Sequence, residues 1–437
     1  MKNIFKISAK IDLWLILVGL GLSIIGIFFV YSSNINKDYY KYVKQITSLV
    51  IAIVFYIVLA TYDYKRLVNK WMFFYAAGIL LLLLTLVFGT RINNSKSWIK
   101  ILGFSFQTSE ICKIFFVISL ASFIEKFKEN IKNFSFIIVS FALLLPYIGL
   151  LLLQPDLGTT IIFILITFIM LFISGARFFY IGVFISVIGV AIVISFLSYV
   201  LDFYSFSSFF SIMKNHTFLI LLGIILLGIG LLLMLINFIT PKQMKKLFYT
   251  YMSLLVIGSG LILSVPAKNF FKDYHYKRLI VLLDPEIDPL GKGYNIRQSL
   301  ISIGSGKFVG QGFTMGKQNR GNFLPSEDTD FIVSVIAEET GFLGISILLI
   351  LLFLLVYKSL HIAFSSRDFI GYLIAGGISA MYISHITINL LSATGLSPVI
   401  GIPLPFVSYG GSSLITNFIG LGILFNIESK KFTYISV

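Results

Sequence analysis

The chain has 437 residues, 57% of them hydrophobic and only 12% charged, with a formal net charge of +15. A soluble domain is about a quarter charged, so a mean hydropathy of +0.95 excludes an ordinary soluble fold and identifies an all-α polytopic membrane protein. The single cysteine, Cys112, excludes a disulfide framework within the chain. The basic balance reads as cytoplasmic-loop bias and attraction to anionic membrane lipids, with no nucleic acid.

Apolar runs predict spanning helices over 12–31, 45–62, 71–89, 106–124, 134–153, 157–175, 178–200, 217–238, 248–266, 330–356, 369–392 and 405–427, about 12 in all. The first run follows the basic stretch MKNIFKISAK and lacks a small-residue cleavage site, so it reads as a retained helix rather than a signal peptide. With the N-terminus in the cytoplasm, the inner segments carry Lys2, Lys6 and Lys10; Lys65, Arg66 and Lys70; Lys126, Lys128 and Lys132; Arg177; Lys242, Lys245 and Lys246; Lys358 and Arg367; and Lys430 and Lys431. Each is basic, which favours cytoplasmic N- and C-termini. The opposite short loops, 32–44, 90–105 and 393–404, are mixed. Residues 201–216 read as an aromatic, Ser-rich interfacial connector. No fixed-period repeat is visible.

The long polar interval, 267–329, then falls outside, before the last three helices. It mixes Gly, Lys, Arg, Gln and Asp with aliphatic residues, and a loop of that length in a compact protein is functional or disordered. Its regular mixture favours function.

An ionisable residue inside a span needs a partner or water. Glu110 and Lys113 are three apart, which puts them on one helix face as either a packing pair or the lining of a polar cavity. Asp156 precedes a helix and is suited to cap it. Glu338 and Glu339 cannot both face lipid. His385 and Asn389, four apart, are expected to form a buried hydrogen-bonded pair. The segment GLSPVIGIPLPFVSYGGSSL holds three prolines and a Gly-Gly pair, so it predicts irregular backbone buried in protein or lining a cavity. No spacing of His, Glu and Asp resembles a metal site.

Four motifs in order resemble the shape, elongation, division and sporulation family typified by RodA and FtsW. They are Phe106-Gln107-Thr108-Ser109-Glu110 with Lys113; Gln154-Pro155-Asp156-Leu157-Gly158-Thr159; the block from Leu283-Asp284-Pro285 through Asp288-Pro289-Leu290-Gly291 to Glu339; and Gly401-Ile402-Pro403-Leu404-Pro405-Phe406-Val407-Ser408-Tyr409-Gly410-Gly411-Ser412-Ser413. The details lean toward the elongation branch. Departures are Thr108 in the family's QPSE, Ser97 where an Arg usually precedes Trp98, and LPSEDTDF for LPE-x-HTDF, with Ser326 and Asp328 in unfamiliar places. Family members have about 10 spans, so the pair within 201–266 reads as an insertion.

The resemblance implies a peptidoglycan glycosyltransferase that polymerises lipid II and releases undecaprenyl pyrophosphate beside a class B penicillin-binding protein, in the bacterial cytoplasmic membrane. It implies Asp288 as the catalytic base, a residue that otherwise reads as a turn-initiating Asp before Pro, with Asp284 as the local competitor. Lys113, Lys277, Arg278 and Arg297 are expected at the leaving pyrophosphate; Glu110, Gln298, Ser408 and Tyr409 complete the expected substrate contacts. A divalent cation, Mg or Mn, on the pyrophosphate stays open, since no ligand cluster demands one. So do three other roles: a lipid II flippase, a division-type polymerase and a non-catalytic scaffold.

Overall fold

The structure, a computed structural model, describes residues 13–35, 40–92, 95–101, 104–203, 215–240, 245–270, 273–289 and 291–433. The stretch holding Lys2, Lys6 and Lys10, most of the 201–216 connector, Lys242 and Leu290 lie outside the described residues.

In chain order the elements are α1 (Trp14–Asn34), α2 (Tyr40–Thr61), α3 (Tyr64–Asn69), α4 (Trp71–Phe88), β1 (Thr90–Ile92), β2 (Ser95–Ile101), β3 (Phe104–Gln107), α5 (Thr108–Lys126), α6 (Phe134–Leu153), α7 (Leu157–Ile173), α8 (Phe178–Phe203), α9 (His216–Ile239), α10 (Lys245–Phe270), α11 (Asp273–Leu283), α12 (Lys292–Ser305), α13 (Lys317–Arg320), α14 (Ile332–Ser365), α15 (Phe369–Ala393) and α16 (Gly411–Thr433). Every predicted span corresponds to a helix. Nine helices among the described residues are long and apolar enough to cross a membrane. Of the other three, α7 has 17 residues, whereas α5 and α16 carry charged side chains.

The chain divides into two compact units, residues 1–176 with 288–437, and residues 177–287. In the first, α5 and α15 are buried along most of their length, as expected of helices at the centre of a bundle. Small residues let α15 approach its neighbours: a Cβ at Gly377 would lie 2.6 Å from the Val117 side chain of α5, and one at Gly376 would lie 2.2 Å from Ile173 of α7. In the second unit, α9 and α10 cross at Gly223 and Gly258, where an added Cβ on either would meet the other's carbonyl within 3 Å. There Tyr276 of α11 stacks on Tyr199 of α8 at 4.5 Å.

Four expectations need correction. The 90–105 loop contains a small antiparallel sheet, with β2 paired to both β1 and β3. The polar interval is partly helical rather than a continuous loop: α10 runs on to Phe270, and α11, α12 and the four-residue α13 follow. The last span starts at Gly411 rather than 405, because Pro403 and Pro405 preclude helix and Phe406 takes a positive φ of 66°. Finally, α14 extends to Ser365 and is broken at Gly341 (φ 65°, ψ −159°), a conformation open essentially to glycine alone.

That break is filled by backbone. Gln311 and Gly312 donate to the carbonyls of Glu338 and Glu339, while Phe342 and Leu343 donate to those of Lys307 and Phe308. The carbonyls and amides freed by the break are thereby satisfied from the 307–312 segment.

Candidate active site

The motifs singled out in the sequence meet at several points of the first unit. Asp156 caps α7 by accepting from the Thr159 N–H at 3.2 Å, as expected, and also accepts from Gln107 Nε2 at 3.0 Å. The Gln107 N–H in turn donates to Ser412 Oγ at 3.2 Å. Three motifs separated by up to 305 residues thus share one small polar network. The fold supports it from the side: Gln154 donates to the Leu82 carbonyl, and its own carbonyl takes the Lys96 N–H and the Ser95 hydroxyl of β2.

Deeper in α5, Lys113 is 0% exposed, and its ammonium lies 2.8 Å from Glu110 Oε1 and 2.7 Å from His385 Nε2. An ammonium has no acceptor, so His385 Nε2 receives this proton and Nδ1 carries the ring's own, directed at the Pro403 carbonyl 3.2 Å away. His385 and Asn389 were expected to bond to each other. They do not: Asn389 donates to the carbonyls of Ile402 and Asp330, so both side chains hold the irregular Pro-rich segment. One turn of helix separates them along the axis, and each finds a nearer backbone oxygen on that segment.

The segment ends at the expected substrate contacts. Ser408 is buried, donates to the Thr329 carbonyl and accepts from the Leu404 N–H; Tyr409 donates its N–H to the Asp328 carbonyl. Gln45 of α2 clamps the same turn, donating to the Ser408 carbonyl and accepting from the Gly410 N–H. Beside it, Asn34, Lys41, Ser326, Glu327, Asp328, Thr329 and Tyr409 line a cavity of about 280 Å³. Lys41 Nζ pairs with Asp328 Oδ2 at 2.6 Å and sits 5.7 Å from the centre of the Tyr409 ring.

Glu338 and Glu339 are both buried, and neither faces lipid. Glu338 accepts from the N–H groups of Gln318 and Asn319, and Glu339 from the Ser32 hydroxyl, the Asn319 amide and the Thr314 N–H. Two carboxylates thereby organise the 314–319 segment through its own donors. Nothing in the local sequence signals this, because their partners lie about twenty residues upstream and, for Ser32, on α1.

Asp288 is half-buried just ahead of α12, and its Oδ2 accepts the Lys292 N–H at 2.8 Å; Oδ1 has no hydrogen-bond partner among the described residues. Gly291 leaves it room, since a Cβ there would fall 2.3 Å from Oδ2. α12 is seated by Ser299, which bonds to Ser334 of α14 and donates to the Ala393 carbonyl. Arg297 is exposed on this helix and Gln298 half-buried. Lys277, exposed, and Arg278, half-buried, belong to α11 in the second unit, where Asp284 is exposed beyond the helix end. No group of three or more His, Cys, Asp or Glu side chains among the described residues is placed to hold a metal ion.

The family profile described as cell cycle protein, covering FtsW, RodA and SpoVE, matches residues 12–220 and 221–432. The chain is 33% identical over 429 residues to peptidoglycan glycosyltransferase RodA of Treponema pallidum (strain Nichols), covering 96% of this chain and 98% of that protein. It is 30% identical to peptidoglycan glycosyltransferase MrdB of Escherichia coli (strain K12), over 98% of this chain and 96% of that one. A chain in a solved structure described as a peptidoglycan synthase complex that coordinates polymerization and crosslinking has the same fold, with a TM-score of 0.69 at 24% identity over 97% of this chain and 99% of that one.

Proposed function

The chain belongs to the FtsW/RodA/SpoVE family of cell cycle proteins, and from that premise we propose that it is a RodA-type peptidoglycan glycosyltransferase that joins lipid II units into glycan strands for cell elongation. Asp288 is the general base. The observation that carries this is its divided environment: one oxygen is fixed by the Lys292 N–H while the other stays open to take a proton. Oδ1 removes the proton from the acceptor sugar's 4-hydroxyl, and the oxygen attacks the anomeric carbon of the strand held through pyrophosphate. The bond from that carbon to the pyrophosphate oxygen breaks with inversion, and undecaprenyl pyrophosphate leaves with the electron pair. Arg297, on the helix that Asp288 precedes, is the group assigned to the leaving charge, and Gln298 beside it is a substrate contact. The complete burial of Lys113 speaks for a positioning role, with Glu110, through His385 and the Pro403 carbonyl.

The protein works as a multi-pass component of the bacterial cytoplasmic membrane, both termini inside and the 267–329 interval outside. Lys65, Asp63, Asp368 and Lys430 gather at one end of the first unit, and the basic ones all fall in segments that the charge pattern assigns to the cytoplasm. A class B penicillin-binding protein is its cross-linking partner, as the likeness to a chain of a synthase complex supports.

Purified chain in liposomes containing lipid II, with and without such a partner, is expected to give a ladder of glycan polymers. Translocation of lipid II across the bilayer with no polymer in either condition would make the protein a transporter instead.

A further inference from the structure

We propose that the 307–315 segment dips below the lipid headgroups, with Phe308, Val309, Phe313 and Met315 inserted among the phospholipid acyl chains of the leaflet on the side of α12. The insertion stands on geometry and does not depend on the reaction assigned to the protein.

Phe308 is 60% exposed, Val309 71% and Met315 58%, within an interval that reads from the sequence as polar. These side chains extend two faces that spanning helices already turn to lipid. The Phe308 ring stacks on Phe342 of α14 at 5.8 Å, and Phe342 and Leu343 open an exposed apolar face that continues along α14 through Ile347, Ile350 and Phe353. Phe313 meets Phe28 and Phe29 of α1 edge-on at 6.2 and 5.9 Å, and Phe28 ends an exposed face of that helix that includes Leu17 and Ile24. Depth follows from the helix rise. On α1, about 21 Å of axis separates Phe28 from Trp14, an exposed aromatic suited to the opposite interface. On α14, about 24 Å separates Phe342 from Lys358, the first charged residue after it. Both lengths fall short of the roughly 30 Å hydrocarbon thickness, so Phe313 and Phe308 stand inside its boundary.

The backbone is built for that depth. Irregular chain within the hydrocarbon must pair its polar groups inside the protein. The N–H groups of Gly310, Gln311, Gly312, Thr314 and Met315 all donate to protein oxygens, and the carbonyls of Lys307, Phe308 and Gly312 accept from protein donors. Gln311 turns its amide back into the protein, donating through Nε2 to Ser305 Oγ and accepting the Lys317 N–H at Oε1. Lys307 is exposed, and its stem is long enough to carry the ammonium up to headgroup phosphates. The segment starts just beyond the end of α12, so insertion fixes that end of the helix that Asp288 precedes.

The test attaches a nitroxide to Val309→Cys or Met315→Cys in the full-length protein, reconstituted in phospholipid vesicles without substrate or partner. Collisions of the label with oxygen, which concentrates in hydrocarbon, are compared with those of a water-soluble nickel complex. The native Cys112 is 0% exposed and takes no label. Ile350→Cys on the lipid face of α14 and Glu129→Cys, exposed in the turn between α5 and α6, calibrate the scale. At both test positions the oxygen-to-nickel ratio is expected to exceed that of Glu129→Cys by about threefold or more, because a polar complex is excluded from hydrocarbon. A ratio equal to that of Glu129→Cys places the segment in water and overturns the proposal. Few collisions with either reagent mean that protein covers the segment, and that result overturns it as well.

Discussion

Replacing Lys113 by Met isolates the energetics of the buried charge pair. The ammonium is 0% exposed and the Glu110 carboxylate 2%, and the described residues give Glu110 no hydrogen-bond donor other than Lys113. Removing the cation leaves a buried carboxylate without compensation, a change that costs about 3–5 kcal/mol when one partner of a buried pair is deleted. Met matches much of the lysine volume, so little of that loss comes from a cavity. The double variant Lys113→Met with Glu110→Gln removes both charges, and the penalty falls to the roughly 1–3 kcal/mol of a poorly satisfied buried amide. The assay is an SDS-unfolding titration of wild type, both single variants and the double variant in mixed micelles. If Lys113→Met loses less than about 1 kcal/mol, or the two single losses simply add in the double variant, the pair is not the interacting buried unit described here.

Gly341→Ala places a Cβ 2.4 Å from the Gly310 nitrogen at a φ of 65°, and is expected to lower unfolding stability by at least about 2 kcal/mol, with proteolysis opening first within the 307–312 segment. The same titration, with mass-spectrometric mapping of the cleavage sites, checks it. At the end that gathers Lys65 and Lys430, burial raises the Asp368 carboxyl, but the hydrogen bonds from Tyr64 and Lys65 outweigh it and hold the group below its usual value. A depressed carboxyl contributes stability above the unfolded pKa, and that contribution disappears as pH falls through the folded one. Asp368→Asn keeps a helix cap for Gly371, so it is expected to be slightly less stable at pH 7, by under about 1 kcal/mol for so exposed a pair, and equal to wild type once the pH drops below the ordinary carboxylate range. Melting curves at neutral and acid pH measure the difference.

Hydropathy located a helix at each predicted span, nine of them among the described residues long and apolar enough to cross a membrane, because about twenty apolar residues in a row have few other uses. The helix cap at Asp156 was equally legible, since Pro155 and the following Leu-Gly-Thr-Thr mark a helix start. What the sequence hid were partnerships across great distances. Lys41 and Asp328 are separated by 287 residues, and Ser32 and Glu339 by 307, so neither pair leaves a local pattern. The interval around Asp288 read as a loop because glycines, Gly304, Gly306, Gly310 and Gly312 among them, are scattered through its polar mixture. Two of them serve the opposite purpose: a Cβ at Gly306 would lie 1.9 Å from the Ala337 carbonyl and one at Gly310 would lie 2.2 Å from that of Glu339, so these glycines allow a tight backbone lock. His385 and Asn389 misled for a related reason. Helical spacing shows that two polar groups share a face, but the backbone oxygens of a broken segment are stronger competitors for their donors.

The role of Asp288 is tested most directly by Asp288→Asn. The Asn amide oxygen can still accept the Lys292 N–H, so α12 keeps its seat, while the proton acceptor is lost. Single-turnover coupling of lipid II by the purified variant, alongside its SDS-unfolding curve, is predicted to slow by about 10²–10⁴-fold with unfolding unchanged. Coupling within tenfold of wild type in a folded Asp288→Asn protein would contradict the assignment and leave this carboxylate as an anchor for the Lys292 N–H alone.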